Sequence, residues 1–288
     1  MNPNIRYPAV AEAHYPAEPQ ELEGLVHQLL DPADEPGQNN RSIRAIMAPH
    51  AAYNLSGRTA ATAYKTISRK RYDSVFILGD THAFFFDGIA ADSRHEWLTP
   101  LESVPVNRTV NDKLCSAAPD LIRLLDIAHD ADHVLELQLP FLQLCIEKGF
   151  SIVPLLFGND TSDRLPDIAD LLLTVVQPGD LIVVSTDLSH YPSYSKAIEI
   201  DRETLDAIVS LDLERLEANR KKLAESKEAE TIGLFCSPDS VTILMLIARK
   251  LGWKAELLSY SNSGDSPHDD KSEVVGYGAV IFFEEIPS

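Results

Sequence analysis

Apolar positions along the chain are grouped into short blocks separated by polar and turn-forming residues. Six blocks rich in β-branched residues predict strands at 42–48, 74–79, 151–158, 181–185, 255–261 and 274–283. The segments between them predict helices near 18–30, 56–70, 133–148, 163–176, 195–210, 211–225 and 238–251. Strands that alternate with helices indicate an α/β fold, with a mainly parallel or mixed sheet covered by helices on both faces.

Two local features modify this pattern. Pro140 lies inside the segment 133–148 and is expected to kink or split that helix. Gly276 and Gly278 leave two positions of the last predicted strand without a side chain, which indicates a bulge or a close approach of another group. The most linker-like stretch, 31–40, lies too near the N-terminus to separate two domains, so we expect one domain over 1–288.

Composition and charge narrow the class of function. The 288 residues include 44 acidic and 25 basic ones, giving a formal charge of −19, so we expect neither nucleic acid nor an anionic membrane surface as a partner. No apolar run approaches the roughly 20 residues of a membrane-spanning helix, and no signal peptide is expected. The three cysteines form no CxxC pair, which suits a reducing cytoplasm.

Three of the predicted strands are followed by histidine. They deliver His50, His82, and the pair Asp187 and His190, respectively. If the strands are parallel, these side chains share one edge of the sheet, where open α/β sheets bind ligands. Converging imidazoles and a carboxylate indicate a metal site or a general-base site. For the strand at 181–185, the alternative is that Asp187 or Ser189 caps the following helix.

A cysteine is a further candidate. Cys236 comes directly before Ser237-Pro238-Asp239, a sequence typical of a helix start. The N–H groups and dipole of a helix N-terminus favour the thiolate, the form that binds metal or attacks an electrophile. The alternative is a small buried apolar residue, which is the role we expect for Cys115 and Cys145.

Residues near these positions complete the candidate site. His133 and Glu136 lie three residues apart, so they share one face of a helical turn. They either orient metal ligands and bind substrate, or form the solvated start of a helix. Three aromatic residues follow His50, His82 and His190 closely enough to line the site: Tyr53, Phe84 and Tyr191. The remaining histidines without such a setting are interpreted as surface residues: His27, His95, His129 and His268.

Several of these motifs resemble a known family. In chain order, the motifs are "AHYPAEPQEL" (13–22), "APHAAY" (48–53), "ILGDTH" (77–82), "HVLELQLP" (133–140), "STDLSHY" (185–191), "FC" (235–236), "NSGD" (262–265) and "VVGYGA" (274–279). They are similar to the Memo-like family, whose prokaryotic members are named for the AmmeMemoRadiSam grouping. The resemblance extends over nearly the whole chain and implies a single Memo-like domain over 1–288.

The resemblance implies a fold and a set of roles. Memo-like proteins are related in fold to class III extradiol dioxygenases, which hold non-haem Fe(II) with two His and one carboxylate. By motif, His50 and His82 match the two His ligands, and Cys236 matches the third ligand position. His190 matches the acid/base His, with Asp187 beside it. The resemblance makes Fe(II) the expected metal, and a thiolate ligand, which is softer than a carboxylate, makes Cu or Zn the alternatives.

The chain also departs from the family pattern. Gln138 stands where family members often have His, and "GDTHAF" replaces the more usual Gly-Pro-Ser/Asn-His-His. Asp80 is thereby expected to bring another acceptor to the edge of the metal.

Three hypotheses for function follow. The first is a mononuclear iron site with redox or oxygen chemistry on an unknown small molecule, in which His190 shuttles protons and Asp187 orients it. The second is a non-enzymatic adaptor that binds a peptide or another protein of the AmmeMemoRadiSam grouping in the same cleft. The third makes Cys236 a nucleophile activated by His190.

Overall fold

A computed structural model describes residues 2–31, 41–225, 233, 235–265 and 270–286. The strands are β1 (Ile5–Arg6), β2 (Arg41–Ala48), β3 (Ser74–Asp80), β4 (Ile89–Ala91), β5 (Glu96–Leu98), β6 (Ser103–Pro105), β7 (Ile122–Leu124), β8 (Ser151–Phe157), β9 (Leu181–Ser185), β10 (Lys254–Asn262) and β11 (Gly276–Glu285). The α-helices are α1 (Pro19–Leu30), α2 (Tyr53–Thr66), α3 (Arg108–Ala117), α4 (Asp126–Asp130), α5 (Leu139–Cys145), α6 (Leu165–Leu173), α7 (Tyr194–Val209), α8 (Leu213–Ala224) and α9 (Pro238–Leu251). Short 3₁₀ turns occupy Glu136–Gln138 and Ser162–Arg164.

An eight-stranded sheet organises the molecule, in the order β10-β11-β2-β9-β3-β8-β4-β7. Its four central strands, from β2 to β8, run parallel. The pairs at β10, β11 and β2 are antiparallel, as is the pair of β4 with β8. A second sheet contains β1, β5 and β6. The predicted α/β class with a mainly parallel or mixed sheet is confirmed.

The central strands are buried on both faces, which explains their unbroken apolar sequences. In β9, Leu181 and Val183 lie in the core beneath α1, α2 and α5. Ile182 and Val184 lie in a separate core beneath α6, α7 and α9. Because each face needs its own apolar side chains, alternation disappears and the strand reads as continuous Leu-Ile-Val-Val.

The structure shows where the predicted helix 133–148 is interrupted. The segment 133–148 is not one continuous helix, since α5 begins only at Leu139 and ends at Cys145. Pro140 lies in the first turn of α5, where a missing N–H costs no helical hydrogen bond. His133 therefore precedes the helix and lies in the connection that crosses the sheet edge.

The glycines of the last strand mark a close approach. A Cβ atom at Gly276 would lie 2.0 Å from the carboxylate of Asp201 on α7, so a larger residue would have to displace that carboxylate. The register shifts of β11 and β10 occur elsewhere, at Phe282/Phe283 and Leu257/Ser259.

Among the described helices, none is long and apolar enough to cross a membrane.

Candidate metal centre

The carboxyl ends of three adjacent parallel strands form one edge of the sheet. His50 follows β2, His82 follows β3 and Asp187 follows β9, which lies between them. Helix α9 packs against β3 and β9, and its N-terminus brings Cys236 to the same edge. The donor atoms of His50, His82 and Cys236 lie within 4.8 Å of one another.

Exposure is graded across these three residues. His50 is buried, Cys236 is partly buried and His82 is exposed. The Cys236 Sγ atom lies 3.2 Å from His50 Nε2. The group is therefore closed on the His50 side and open to solvent beside His82.

Hydrogen bonds fix the tautomer of His50. Ser185 Oγ donates its single hydrogen to the Val134 carbonyl at 2.6 Å, so the 3.0 Å contact with His50 Nδ1 is donated by the ring. The Nε2 lone pair consequently faces the thiol. Burial, and then the nearby His82 and other imidazoles, hold the pKa of His50 well below its usual range, which keeps the ring neutral. A neutral ring with a free Nε2 is the form that binds metal.

Main-chain carbonyls fix the other two rim imidazoles. The Nδ1–H of His82 donates to the Asp80 carbonyl, and that of His190 donates to the Leu188 carbonyl, each at 2.8 Å. Both rings therefore carry a proton-free Nε2 when neutral. Burial lowers the pKa of His190, so this ring is neutral at physiological pH.

Asp187 has a different role from the predicted one. The group that orients His190 is the Leu188 carbonyl, whereas the Asp187 carboxylate accepts the N–H of His50 at 2.8 Å and of Ala51 at 3.3 Å. It does not cap the following helix either, because α7 begins only at Tyr194. Asp187 instead fixes the main chain that carries His50.

The surroundings of Cys236 bear on its reactivity. Its Sγ accepts the Asp187 N–H at 3.0 Å, with Thr186 Oγ1 at 3.6 Å. Burial, and then the charge of Asp187, nevertheless raise the pKa of the thiol well above its usual range, which opposes the effect of the helix N-terminus. A thiolate here needs a compensating cation. The imidazole beside the thiol is His50, not the His190 of the nucleophile hypothesis.

The donor set fits a soft or borderline metal ion. Two imidazole Nε2 lone pairs and one thiolate are a ligand combination used by Zn, Cu and Fe. Within the part of the chain that the structure describes, this is the one group of three His, Cys, Asp or Glu side chains whose donor atoms converge in this way.

Comparison with known proteins supports the family resemblance that the sequence motifs indicate. The family model described as "Memo-like protein" matches residues 6–281. The chain belongs to the Memo-like family. It is 32% identical to a MEMO1 family protein of Nitrosopumilus maritimus, over 96% of this chain and 99% of that protein. Proteins with the same description from Sulfolobus acidocaldarius and Archaeoglobus fulgidus are 34% and 31% identical, each over 96% of this chain and 99% of the relative.

Two further histidines extend the site of this Memo-like protein. The His133 ring centroid lies 5.7 Å from that of His50 and 5.8 Å from that of His82, so His133 borders the group formed by His50, His82 and Cys236, called the metal group below. His14 lies 5.0 Å from His133, and its Nδ1 atom is buried without a hydrogen-bond partner among the described residues. The position of His14 was not predicted, although this residue lies within a motif that carries the family resemblance.

Glu136 has a structural role. Its carboxylate is fully buried, pairs with Arg6 and accepts hydrogen bonds from the Tyr15 hydroxyl and from the N–H groups of Ala9 and Val10. Glu136 is therefore neither a solvated helix start nor an orienter of metal ligands or binder of substrate, because its carboxylate is occupied by Arg6, Tyr15 and the N-terminal main chain. Glu136 anchors the N-terminal segment, and this segment places His14 beside His133.

Of the three aromatic residues predicted to line the site, Tyr53 does not. Tyr53 is buried and donates its hydroxyl hydrogen to the Leu137 carbonyl at 2.6 Å, so it belongs to the core and does not line the site. Tyr191 is 58% exposed, with its ring centroid 5.8 Å from that of His190. Phe84 and Phe85, which follow His82, are also exposed.

The side chains of Asp80 and Gln138 both form hydrogen bonds to neighbouring parts of the chain. The Asp80 carboxylate accepts the N–H groups of Asp239 and Ser240 at the start of α9, so the expectation that it is an acceptor at the edge of the metal is wrong. Gln138 Nε2 donates to Ser185 Oγ at 2.8 Å and thereby supports the hydroxyl that orients His50. The Gln at this position retains a link to the metal group through one intervening side chain.

Sequence reasoning also missed Asp132. Its Oδ2 atom accepts the N–H groups of His82 at 2.7 Å and Ala83 at 3.2 Å, which fixes the loop that carries the exposed candidate ligand His82. The residue stands directly before His133 in the sequence, but a single acid in an acidic stretch gives no signal of this role.

The four remaining histidines divide into three groups. His27 and His95 are exposed as expected, and His268 lies outside the described residues. His129 is fully buried, with its ring centroid 5.4 Å from the Trp97 ring, so its interpretation as a surface residue is wrong. The sequence around His129 gives no sign that α4 turns this side chain inward together with Ala128.

Proposed function

We propose that this protein holds one metal ion, Fe(II), at His50 Nε2, His82 Nε2 and Cys236 Sγ, and uses it for redox or oxygen chemistry on a small substrate. The observation that carries the proposal is the convergence of these three donor atoms within 4.8 Å. The acceptor that each ring Nδ1 contacts adds support, since it leaves Nε2 free. Three protein ligands leave open positions, at which a bound iron ion supplies redox and Lewis-acid chemistry.

The residues of the chain bind the substrate and move a proton. His190 is neutral, and its Nδ1–H is held by the Leu188 carbonyl, so Nε2 accepts a proton from a substrate group and returns it later. Tyr191 and Phe84 offer exposed aromatic faces for an apolar part of the substrate. The main chain at His50, held by Asp187, keeps the buried side of the site fixed while the His82 side receives the substrate.

The choice of Fe(II) rests on the resemblance to iron dioxygenases, and the donor set also suits Cu or Zn. Cys115, Cys145 and Cys236 are all free thiols. Free thiols and a thiolate ligand are maintained in a reducing compartment, so we place the protein in the cytoplasm.

Elemental analysis by mass spectrometry tests the proposal. The protein is purified anaerobically without a His tag, together with the variants Cys236→Ala and Cys115→Ala. We expect near-stoichiometric iron in the wild type and in Cys115→Ala, and its loss in Cys236→Ala. Full metal content in Cys236→Ala contradicts the proposed ligand set, and stoichiometric Cu or Zn in place of iron changes the chemistry assigned.

A second candidate function is favoured by the exposed aromatic residues. Phe85 is 88% exposed and Tyr191 58% exposed, on the loops that follow His82 and His190. Such side chains are frequent in protein interfaces, so an adaptor that binds a peptide or another protein of the AmmeMemoRadiSam grouping is the alternative. Co-expression with proteins of that grouping tests it. Binding that survives in Cys236→Ala but not in Phe85→Ser supports the adaptor, and binding lost only in Cys236→Ala contradicts it.

A further inference from the structure

Helix α9 lacks a cap from its own sequence. Its N-cap residue is Ser237, whose side chain makes no capping hydrogen bond to the helix. The Ser237 hydroxyl instead donates to the Ser185 carbonyl of β9 at 2.8 Å. The first N–H groups of a helix need acceptors, so another part of the chain has to supply them.

Asp80 supplies these acceptors from β3. Its Oδ2 atom accepts the N–H of Asp239 at 3.0 Å, and its Oδ1 atom accepts the N–H of Ser240 at 3.1 Å. The Ser240 hydroxyl also donates to Oδ1, at 2.7 Å. A carboxylate is well suited to this position because it accepts several hydrogen bonds and complements the helix dipole.

The main chain of the same residue holds the other side of the metal group. The Asp80 carbonyl accepts the His82 Nδ1–H at 2.8 Å, and the Asp80 N–H donates to Ser237 Oγ at 3.2 Å. Asp80 thus contacts the ring of one ligand and the residue that directly follows the other ligand, Cys236. Its side chain joins β3 to α9 at the point where the separation of these two ligands is set.

We propose that Asp80 is a positioning residue, whose carboxylate caps α9 from a neighbouring strand and thereby holds Cys236 in register with His82. The carboxylate is occupied by the helix, so it acts through the two ligands and not on the metal directly. For metal binding, this inference rests on the proposed function. The placement of Cys236 can be measured without any metal.

A purely stabilising capping residue is the competing explanation, and the chain contains a matched control. Asp180 also uses its carboxylate to accept main-chain N–H groups, those of Ser74 at 3.0 Å and Gln177 at 2.8 Å. Ser74 begins β3, so Asp180 lies at the opposite end of the strand that Asp80 ends. Loss of Asp180 removes comparable hydrogen bonds without touching the metal group.

The experiment compares Asp80→Ala, Asp80→Asn and Asp180→Ala with the wild type. In metal-free protein, the rate of Cys236 alkylation by iodoacetamide is measured by peptide mass spectrometry. Co(II) is then titrated against a competing chelator, and the thiolate-to-cobalt charge-transfer absorption is recorded. Thermal unfolding of each variant gives the stability against which both readouts are compared.

We expect Asp80→Ala to alkylate roughly tenfold faster at Cys236 and to bind Co(II) about 10- to 100-fold more weakly, the range typical of lost groups that orient metal ligands. Asp80→Asn retains one acceptor oxygen and gives intermediate values, which keeps the test valid if the Ala variant does not fold. Asp180→Ala loses thermal stability with both readouts unchanged.

Two results overturn the inference. One is unchanged alkylation and Co(II) affinity in both Asp80 variants, and the other is an equal change in Asp180→Ala at equal stability. If the wild type itself binds no Co(II), the proposed metal site fails. The alkylation rates still decide whether Asp80 positions Cys236.

Discussion

At the scale of single residues, the site depends on the fixed tautomers of its imidazoles. Each rim histidine donates its Nδ1–H to an oxygen that the fold holds in place, and this leaves Nε2 as the donor atom. For His50 that oxygen is the Ser185 hydroxyl, which is itself fixed by the Val134 carbonyl and by Gln138. The metal affinity should therefore depend on residues that never touch the metal.

Ser185→Ala tests this dependence. The change removes the acceptor of the His50 Nδ1–H, so the ring loses its preferred tautomer, and we expect metal binding to weaken about 10- to 100-fold. Ser74→Ala is the matched control, since Ser74 Oγ accepts from Asn107 at the opposite end of the sheet. Chelator competition measures both affinities, and equal affinities for the two variants would contradict the role of Ser185.

His190→Asn separates the proton shuttle from the ligands. His190 lies outside the group of three converging donors, so the variant should retain full metal content while losing the proton acceptor. The same substitution at a ligand, His82→Asn, should lose the metal. Metal analysis of both proteins checks the assignment, which fails if His190→Asn is the variant that loses the metal.

The site residues that could be predicted from the sequence follow a predicted strand or precede a predicted helix. His50, His82 and Cys236 could be found because a buried strand or a helix start can be recognised from the pattern of apolar and turn-forming residues. His14 and Asp132 could not, because their approach to the metal group depends on how the N-terminal segment and the connection before α5 fold over the sheet edge. No local periodicity encodes such a meeting of distant segments.

At the scale of elements, the long strands were predictable and the short ones were not. All six predicted strands exist, with ends within two residues of those predicted. Strands of two or three residues, such as β1 and β4, are too short to show alternation. Helix α3 was missed because its sequence RTVNDKLCSA is mostly polar, and only one narrow face of the helix packs inward.

The anchoring of the N-terminal segment gives a prediction about stability. In Glu136→Gln, the buried Arg6 guanidinium loses its charged partner, which should lower the free energy of unfolding by about 3–5 kcal/mol. Glu102→Gln is the control, because Glu102 pairs with Lys148 at 3.1 Å on the surface, where such a pair contributes about 1 kcal/mol or less. Urea denaturation measures both, and similar losses in the two variants would refute the anchoring role.

At the scale of the whole molecule, a buried histidine couples stability to pH. Burial lowers the pKa of His129 to about 4, whereas the unfolded chain has a value near 6.5. The unfolded state therefore binds the proton first, and stability falls as the pH drops from about 6.5 towards 4.

His129→Gln should remove this part of the pH dependence. Over that pH window, one proton with these two pKa values contributes about 3 kcal/mol, so the variant should lose less stability on acidification than the wild type. Comparing the two proteins cancels the contributions of the other titrating groups. Urea denaturation at pH 7.5 and pH 4.5 provides the measurement, and parallel losses in both proteins would exclude His129 as a source.

The central claim is a metal bound by two imidazoles and one thiolate at the edge of the sheet. X-ray absorption at the K-edge of the metal in anaerobically purified protein tests it most directly, because sulfur and nitrogen scatter distinguishably. The account predicts one sulfur neighbour, with the remaining neighbours nitrogen or oxygen, and loss of the sulfur signal in Cys236→Ser. A bound metal with no sulfur neighbour in the wild type would contradict it.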